Sequence, residues 1–271
     1  MKIALIVNKD KEKAIFAASQ ISKLLTENGA EIIVDKVHDE LFKECDVAIT
    51  VGGDGTIIHS AKHAAKYSKP MIGVNVGRLG FAAEVEPDNI FDLKRILVKD
   101  YKIQNRMLLD VSVRHINGEV ENYLAVNDAT ISRGQLSRII DIFVSLDNSP
   151  ISTYMADGIL FSTPTGSTAY SLSAGGPVIY PEMNCILLTP ICPHSLISRS
   201  VVFDGNAVLT AKVKVNDNKP ALLSIDGEKN VSIYPDDLIT IKKSEKSLKL
   251  IKLYDRNFYQ HLNEKLKERK S

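Results

Sequence analysis

Cysteine is scarce in this chain. Three occur in 271 residues, Cys45, Cys185 and Cys192, and no two form a C-x-x-C pair. The odd count and the wide spacing argue against a disulfide framework and point to a reducing, cytoplasmic setting. Charge of one sign is also lacking. Lys plus Arg number 34 and Asp plus Glu 33, a net charge of +1, so no global basic excess is available to hold a nucleic-acid backbone. No apolar run reaches the ~18 residues of a membrane span. The apolar start, Ile3 to Val7, is too short for a signal peptide and reads as a strand. No Gly-Lys pair exists, which excludes the Walker phosphate loop. The dinucleotide fingerprint G-x-G-x-x-G is missing too, because Ile58 stands where the third glycine after Gly53 and Gly55 belongs.

What is present divides in two. Hydrophobic residues make up 44% and charged residues 25%, an ordinary globular balance. At ~150 residues per domain the length predicts two domains. Residues 1–100 alternate strand and helix signals. Ile3–Val7, Ile32–Val34, Val47–Val51 and Met71–Val74 are short apolar runs, as strands buried on both faces require. Between them lie helical patterns over residues 11–28, from about Thr56 onward, and over 88–98. This predicts a Rossmann-like α/β domain with a mostly parallel sheet. Residues 101–255 change to period-2 alternation, as in Leu109, Val111 and Val113 or Ile140, Ile142 and Val144. Asn117-Gly118 predicts a two-residue hairpin turn. Further strands are expected at 201–203, 207–215, 221–225, 238–242 and 248–254, so this part reads as a β-rich domain of stacked sheets or a sandwich. Residues 256–271 are expected to form a helix over 256–269, with Phe258, Leu262 and Leu266 on one face, and to pack back on the first domain.

Four segments carry chemistry. Gly52-Gly53-Asp54-Gly55-Thr56 follows a strand, where α/β sheets bind ligands, and its glycines admit a phosphate to the backbone N–H groups. Asp54 would repel that phosphate, so it suits accepting a proton or holding a metal; as a plain alternative it caps the next helix. Gly73–Phe81, with three glycines in eight residues after a strand, reads as a tight loop whose Arg78 fork suits phosphate; as a plain alternative it is a surface turn with a solvated arginine. Asn127-Asp128 ends the strand Leu124–Val126 and offers donor and acceptor groups to an adenosine, or is a simple turn. Residues 162–176 crowd hydroxyls and glycines around Tyr170, an aromatic face for stacking. His59 and His63 lie four apart on a predicted helix, but with no H-E-x-x-H glutamate they read as a solvated face, and no residue is assigned to a metal.

Together, Gly52–Thr56, Gly77–Phe81, Asn127-Asp128, Asp157-Gly158, Ser162–Tyr170 and Thr189–Leu196 resemble the NAD kinase family. The resemblance implies transfer of the terminal phosphoryl group of ATP, or of polyphosphate, to the 2′-hydroxyl of the adenosine ribose of NAD, with a divalent cation, Mg²⁺, accompanying the donor. It implies Asp54 as the base. It implies Asp54, Gly55, Asn127, Asp128, Asp157, Thr165, Thr168, Ala169, Tyr170 and Ser173 as the NAD site, with Gly52, Gly53, Gly55 and Arg78 at phosphate. A homodimer or homotetramer with NAD near a subunit interface is likewise implied, with neither nucleic acid nor membrane as partner. Two positions depart from the family pattern. Asp128 stands where the family usually has Glu, and Met155 where many members carry a basic residue. The rival readings are a lipid or sugar kinase, which explains the GGDGT run but not the 162–170 loop, a non-catalytic NADP sensor, and a β-rich scaffold.

Overall fold

The computed structural model describes residues 1–34, 38–77, 83–135, 138–195, 197–215, 219–255, 257–260 and 262–263. Its contacts divide the chain into two units, residues 1–106 with 246–271, and residues 107–245. The chain passes from one unit to the other within two long strands, which is why alternation patterns alone set the cuts at 100 and 255.

In the first unit the strands are β1 (Lys2–Val7), β2 (Glu31–Ile33), β3 (Val47–Gly52) and β4 (Pro70–Asn75). They lie parallel in the order β2-β1-β3-β4. Both faces are covered: Ile3 and Leu5 are buried on one side, Ala4 and Ile6 on the other. Helix α1 (Glu12–Glu27) places Ala14, Ala17, Ile21 and Leu25 against Ile3, Leu5 and Ile49, and it ends at Asn28 before Gly29, whose φ of 87° suits the left-handed stop. Helices α2 (His38–Glu44) and α3 (Asp54–Lys66) follow β2 and β3. The helix expected over 88–98 is a 3₁₀ helix, Pro87–Leu93, running into α4 (Lys94–Leu97), because Asn89 leaves helical geometry at φ −109°, ψ 17°. The chain leaves β1 toward β2 on one side and returns to β3 on the other. This reversal puts the sheet's switch point at the C-terminal ends of β1 and β3, where open α/β sheets form their ligand crevice.

The second unit holds most of β5 (Lys102–Arg114), then β6 (Val120–Ala125), β7 (Asp128–Ser132), β8 (Ile140–Leu146), β9 (Ser149–Ala156), β10 (Gly158–Ser162), β11 (Cys185–Ile191), β12 (Val201–Asp204), β13 (Leu209–Lys214), β14 (Ala221–Ile225), β15 (Lys229–Ile233) and the first half of β16 (Leu238–Lys252). One antiparallel sheet runs β12-β11-β10-β7-β14-β15, and the other contains β16-β13-β8-β9. Ile131, Phe161, Leu188 and Leu223 of the first share a core with Ile142, Val144, Leu209 and Ile241 of the second, so the sheets are stacked.

Several local expectations change. Asn117-Gly118 belongs to a five-residue loop, His115–Glu119, rather than a two-residue turn. His115 and Glu119 close it with a 2.9 Å backbone bond, and Gly118 takes φ 88°. The two strands expected at 238–242 and 248–254 are the single β16; its middle, where exposed Lys242, Lys243, Glu245 and Lys246 flank buried Ser244, hides the continuity. Asp128 opens β7 instead of ending the preceding strand. The expected helix at 256–269 is described only at 257–260 and 262–263, where Leu262 is buried; its other residues lie outside the described set.

Candidate active site

The glycine turn forms at the end of β3. Val51 and Gly52 are the last strand residues, Gly53 is the N-cap of α3 at φ −91°, ψ 179°, and Asp54 is the first helical residue. Asp54 is therefore not the cap. It stands exposed beside exposed Gly55. The glycines divide by role. A Cβ on Gly52 would meet the Thr56 side chain at 2.7 Å, so packing requires that glycine. A Cβ on Gly55 would meet nothing within 4 Å, so the fold does not explain its small size, and the space above it is open to a ligand.

Neighbouring loops hold this turn in place. Asn8, just past β1, donates from Nδ2 to Thr56 Oγ1 at 3.1 Å, and its N–H donates to Val51 O at 3.0 Å. Asn75, at the end of β4, donates to Gly77 O at 3.1 Å and accepts from Gly77 N at 3.2 Å, while Val76 N donates to Gly52 O. Arg78, expected at phosphate, lies outside the described residues. On the far stretch of α3, His63 donates or accepts at 2.9 Å with Asp39 and stacks on Phe42 at 5.9 Å. For His63 this replaces the expected solvated face by packing against α2, whereas His59 is exposed. Lys66 and then His63 hold the Asp39 carboxyl well below the usual carboxylate range. Among the described residues no group of three or more His, Cys, Asp or Glu could hold a metal.

In the second unit, a pocket of about 470 Å³ brings together Asn127, Asp128, Ala169 and Tyr170 with Asp226, Gly227 and Asn230. Asn127 and Asp128 sit at the corner between β6 and β7. Tyr170, 47% exposed, presents its ring as the first residue of α5 (Tyr170–Ser173). The corner is shaped by Asp226. Its carboxylate accepts from three consecutive N–H groups, Val126 at 3.1 Å, Asn127 at 2.7 Å and Asp128 at 3.1 Å, and its own N–H donates to Asp128 O at 2.9 Å. Asp226-Gly227 is the β14–β15 turn, with φ of 51° and 71°; such a type I′ turn is the usual reason for an Asp-Gly pair. That pair punctuates the sequence, but its second task as a clamp on residues 100 positions away leaves no local signal.

The hydroxyl-rich loop turns out to be mostly internal scaffolding. Thr163 Oγ1 donates to Val126 O at 2.7 Å and accepts from Gly166 N; Ser162 Oγ donates to Asn127 O; Ser167 Oγ donates to Pro164 O and accepts from Ile179 N. Gly166 packs so closely that a Cβ would lie 2.1 Å from Asn127 O. Of the residues expected at NAD, Thr168 is buried and donates to Thr165 O, Thr165 is half-buried, and Ser173 is exposed. None of these three lines the pocket. Neither does Asp157, whose carboxylate accepts from Arg133 Nε at 2.7 Å.

Both parts of the chain match known families. Residues 35–101, with the glycine turn, match the ATP-NAD kinase N-terminal domain, and residues 126–253, with the pocket, match the ATP-NAD kinase C-terminal domain. The NAD kinase of Caldanaerobacter subterraneus subsp. tengcongensis is 36% identical over 282 residues, covering 99% of each chain. The chain belongs to the NAD kinase family. As a member of the NAD kinase family it is a phosphotransferase that phosphorylates NAD. Among solved structures, an NAD kinase from Archaeoglobus fulgidus in complex with ATP superposes with a TM-score of 0.81 at 25% identity, covering 98% of this chain and 99% of that one. Yeast NADH kinase complexed with NADH reaches 0.89 at 22% identity, covering 97% and 86%, a likeness of fold. The NAD kinase family thus has here an N-terminal α/β unit and a C-terminal unit of stacked β-sheets.

Proposed function

We propose that Asp54 is the base of this phosphorylation and that the adenosine part of NAD occupies the Asn127–Tyr170 pocket. The 2′-oxygen of the adenosine ribose attacks the γ-phosphorus of ATP. The new O–P bond forms as the bond from that phosphorus to the β-phosphate oxygen breaks, the electron pair leaves with ADP, and the hydroxyl proton passes to Asp54. A ribose hydroxyl is a poor nucleophile while protonated, so a carboxylate aimed at it contributes about 10²–10⁴-fold. Positioning and electrostatics supply the rest, as is general in phosphoryl transfer. Magnesium enters as part of the donor, MgATP, since Mg²⁺ commonly binds through nucleotide phosphates with one or two carboxylates rather than in a protein cage.

The observation that supports this reading most strongly is the pairing of an exposed Asp54, at the first position of α3, with a Gly55 whose lack of a side chain the fold does not require. Asn127, Asp128 and Tyr170 fit an adenosine, offering hydrogen-bonding edges and an aromatic face. Gly52, Gly53 and Gly55 suit the phosphates. Polyphosphate as donor, a dimer or tetramer, and a cytoplasmic location consistent with the three free cysteines belong to the same proposal. The test is Asp54→Asn. NADP formation from NAD and MgATP should fall by about 10²–10⁴-fold, with NAD affinity by calorimetry retained; near-normal turnover in that variant refutes the base.

A further inference from the structure

We propose that Lys11, on the loop between β1 and α1, completes the donor-phosphate cradle and hydrogen-bonds the phosphate oxygens of the nucleotide. The inference rests on the reading that donor phosphates occupy the glycine turn. It begins with an ammonium group in an unexpected place. Lys11 Nζ lies 3.4 Å from where a Cβ on Gly53 would stand and 3.8 Å from the equivalent point on Gly77. One side chain thus reaches over two separate glycine loops, each just beyond a parallel strand. Gly53 follows β3 and Gly77 follows β4.

Lys11 has no other employment visible in the fold. It is the N-cap residue of α1 in extended geometry, φ −119°, ψ 112°, and makes no side-chain capping bond. Among the described residues no carboxylate pairs with it, although Glu12 adjoins it in sequence. An exposed lysine normally extends into water to keep its rotamer freedom. Here the chain lies back over glycines whose missing side chains leave room for a ligand.

The backbone beneath Lys11 is also held. Asn8 Oδ1 accepts from Asp10 N at 3.0 Å, Asn8 O accepts from Lys11 N at 3.3 Å and, on the other side, from Ala14's turn onward the helix begins with Ala14 N donating to Lys11 O at 2.9 Å. The same Asn8 donates to Thr56 of the glycine turn. Asn8 therefore ties the loop that carries Lys11 to the segment that carries Asp54, and is a positioning residue. The loop leaves β1 at the β1/β3 switch point, so topology and side-chain reach indicate one location.

During transfer, charge grows on the oxygen that joins the β- and γ-phosphates as the bond to phosphorus breaks. A lysine ammonium is a compact point charge that can donate to that oxygen without losing its proton. Preorganised cations at this position are a general device of phosphoryl-transfer enzymes.

The experiment compares wild type, Lys11→Ala and Lys11→Arg, varying MgATP at saturating NAD and NAD at saturating MgATP. Lys11→Ala should lower kcat/KM for MgATP by about 10- to 100-fold, the value of one charge-assisted hydrogen bond. KM for NAD and the thermal midpoint should stay at wild type, and Lys11→Arg should recover part of the loss. Unchanged MgATP kinetics in Lys11→Ala overturns the inference. So does a loss shared equally by both substrates and not relieved by arginine, which marks a structural role. Calorimetric binding of ADP to wild type and Lys11→Ala, without NAD, separates the two levels. If wild type makes no NADP, the functional reading fails, and the binding difference alone still decides the role of Lys11.

Discussion

Two residues, far apart in sequence, set the corner that carries Asn127 and Asp128. Asp226 gathers three backbone N–H groups into one carboxylate. Removing it leaves those donors without a partner, at about 1–3 kcal/mol for each that water cannot reach. Asp226→Ala should therefore lower the thermal midpoint and also weaken NAD binding, read by calorimetry; full NAD affinity in a folded variant would show that the corner holds its shape without the clamp. Gly166 constrains the same corner from the other side. With a Cβ 2.1 Å from Asn127 O, Gly166→Ala forces backbone apart and should cost at least about 1–3 kcal/mol in denaturant unfolding. Gly55→Ala, by contrast, meets no atom within 4 Å. It should leave stability nearly unchanged while impairing turnover, a separation that unfolding and NADP-formation assays on one preparation can check. Glycine content in sequence flags both positions, yet only the surroundings distinguish a glycine demanded by packing from one that leaves space for a ligand.

At the level of elements, the β5–β6 hairpin is fastened by a polar cluster. His115 bonds through Nδ1 to Asp237 at 2.9 Å and through Nε2 to Glu121 at 3.0 Å. Asp237, almost fully buried, also accepts from Ile116 N and Tyr234 N, and Tyr123 O–H donates to the second oxygen of Glu121. The Glu121 and Asp237 carboxylates raise the His115 pKa above its ordinary 6.5, against the opposing effect of burial. Burial and then Glu121 push Tyr123 up to about 12, and Tyr123 with His115 and the nearby Lys229 lowers Glu121 below 4.5. The sign follows from linkage. A histidine with a raised folded pKa contributes stability that is complete below 6.5 and fades as pH rises through the higher folded value; a glutamate with a lowered pKa loses its contribution as pH falls below 4.5. The thermal midpoint of wild type should exceed that of His115→Gln most at about pH 6, and the gap should narrow toward about pH 9. A gap independent of pH would assign the cluster to packing alone. The hairpin itself was legible from Asn117-Gly118, but not the cluster, whose members come from the hairpin loop, from β6 and from the turn before β16. Strand β9 left a fainter trace. Asp147 and Asn148 take φ of 47° and 68°, a tight-turn signature of short polar side chains, yet its first five residues are exposed and carry no apolar alternation.

For the whole molecule, the second unit is one continuous stretch, residues 107–245, whereas the first needs residues 246–271 to return to it. Ile251 and Leu253 are buried in the core of that first unit at 1% and 4% exposure. Buried Glu84 pairs with Lys252 and accepts from Leu253 N at 3.0 Å and Tyr254 N at 3.1 Å. Truncation after Glu245 removes about 1.5–3 kcal/mol for each of the two apolar side chains and strands a buried carboxylate. In limited proteolysis of that truncated chain, residues 1–106 should be digested while 107–245 resist; protection of both stretches would show the returning strand to be dispensable. The sequence by itself determined the α/β start with its mostly parallel sheet, the β-rich continuation and the identity of the glycine turn, because backbone periodicity and short-range turn chemistry are written in adjacent residues. Tertiary structure alone decided that Asp226 clamps Asn127 and Asp128, that most hydroxyls of 162–171 serve the scaffold, and that Lys11 reaches over Gly53 and Gly77. Each of these depends on atoms brought together across tens of residues, and a side chain's task is set by what surrounds it after folding, which no local pattern records.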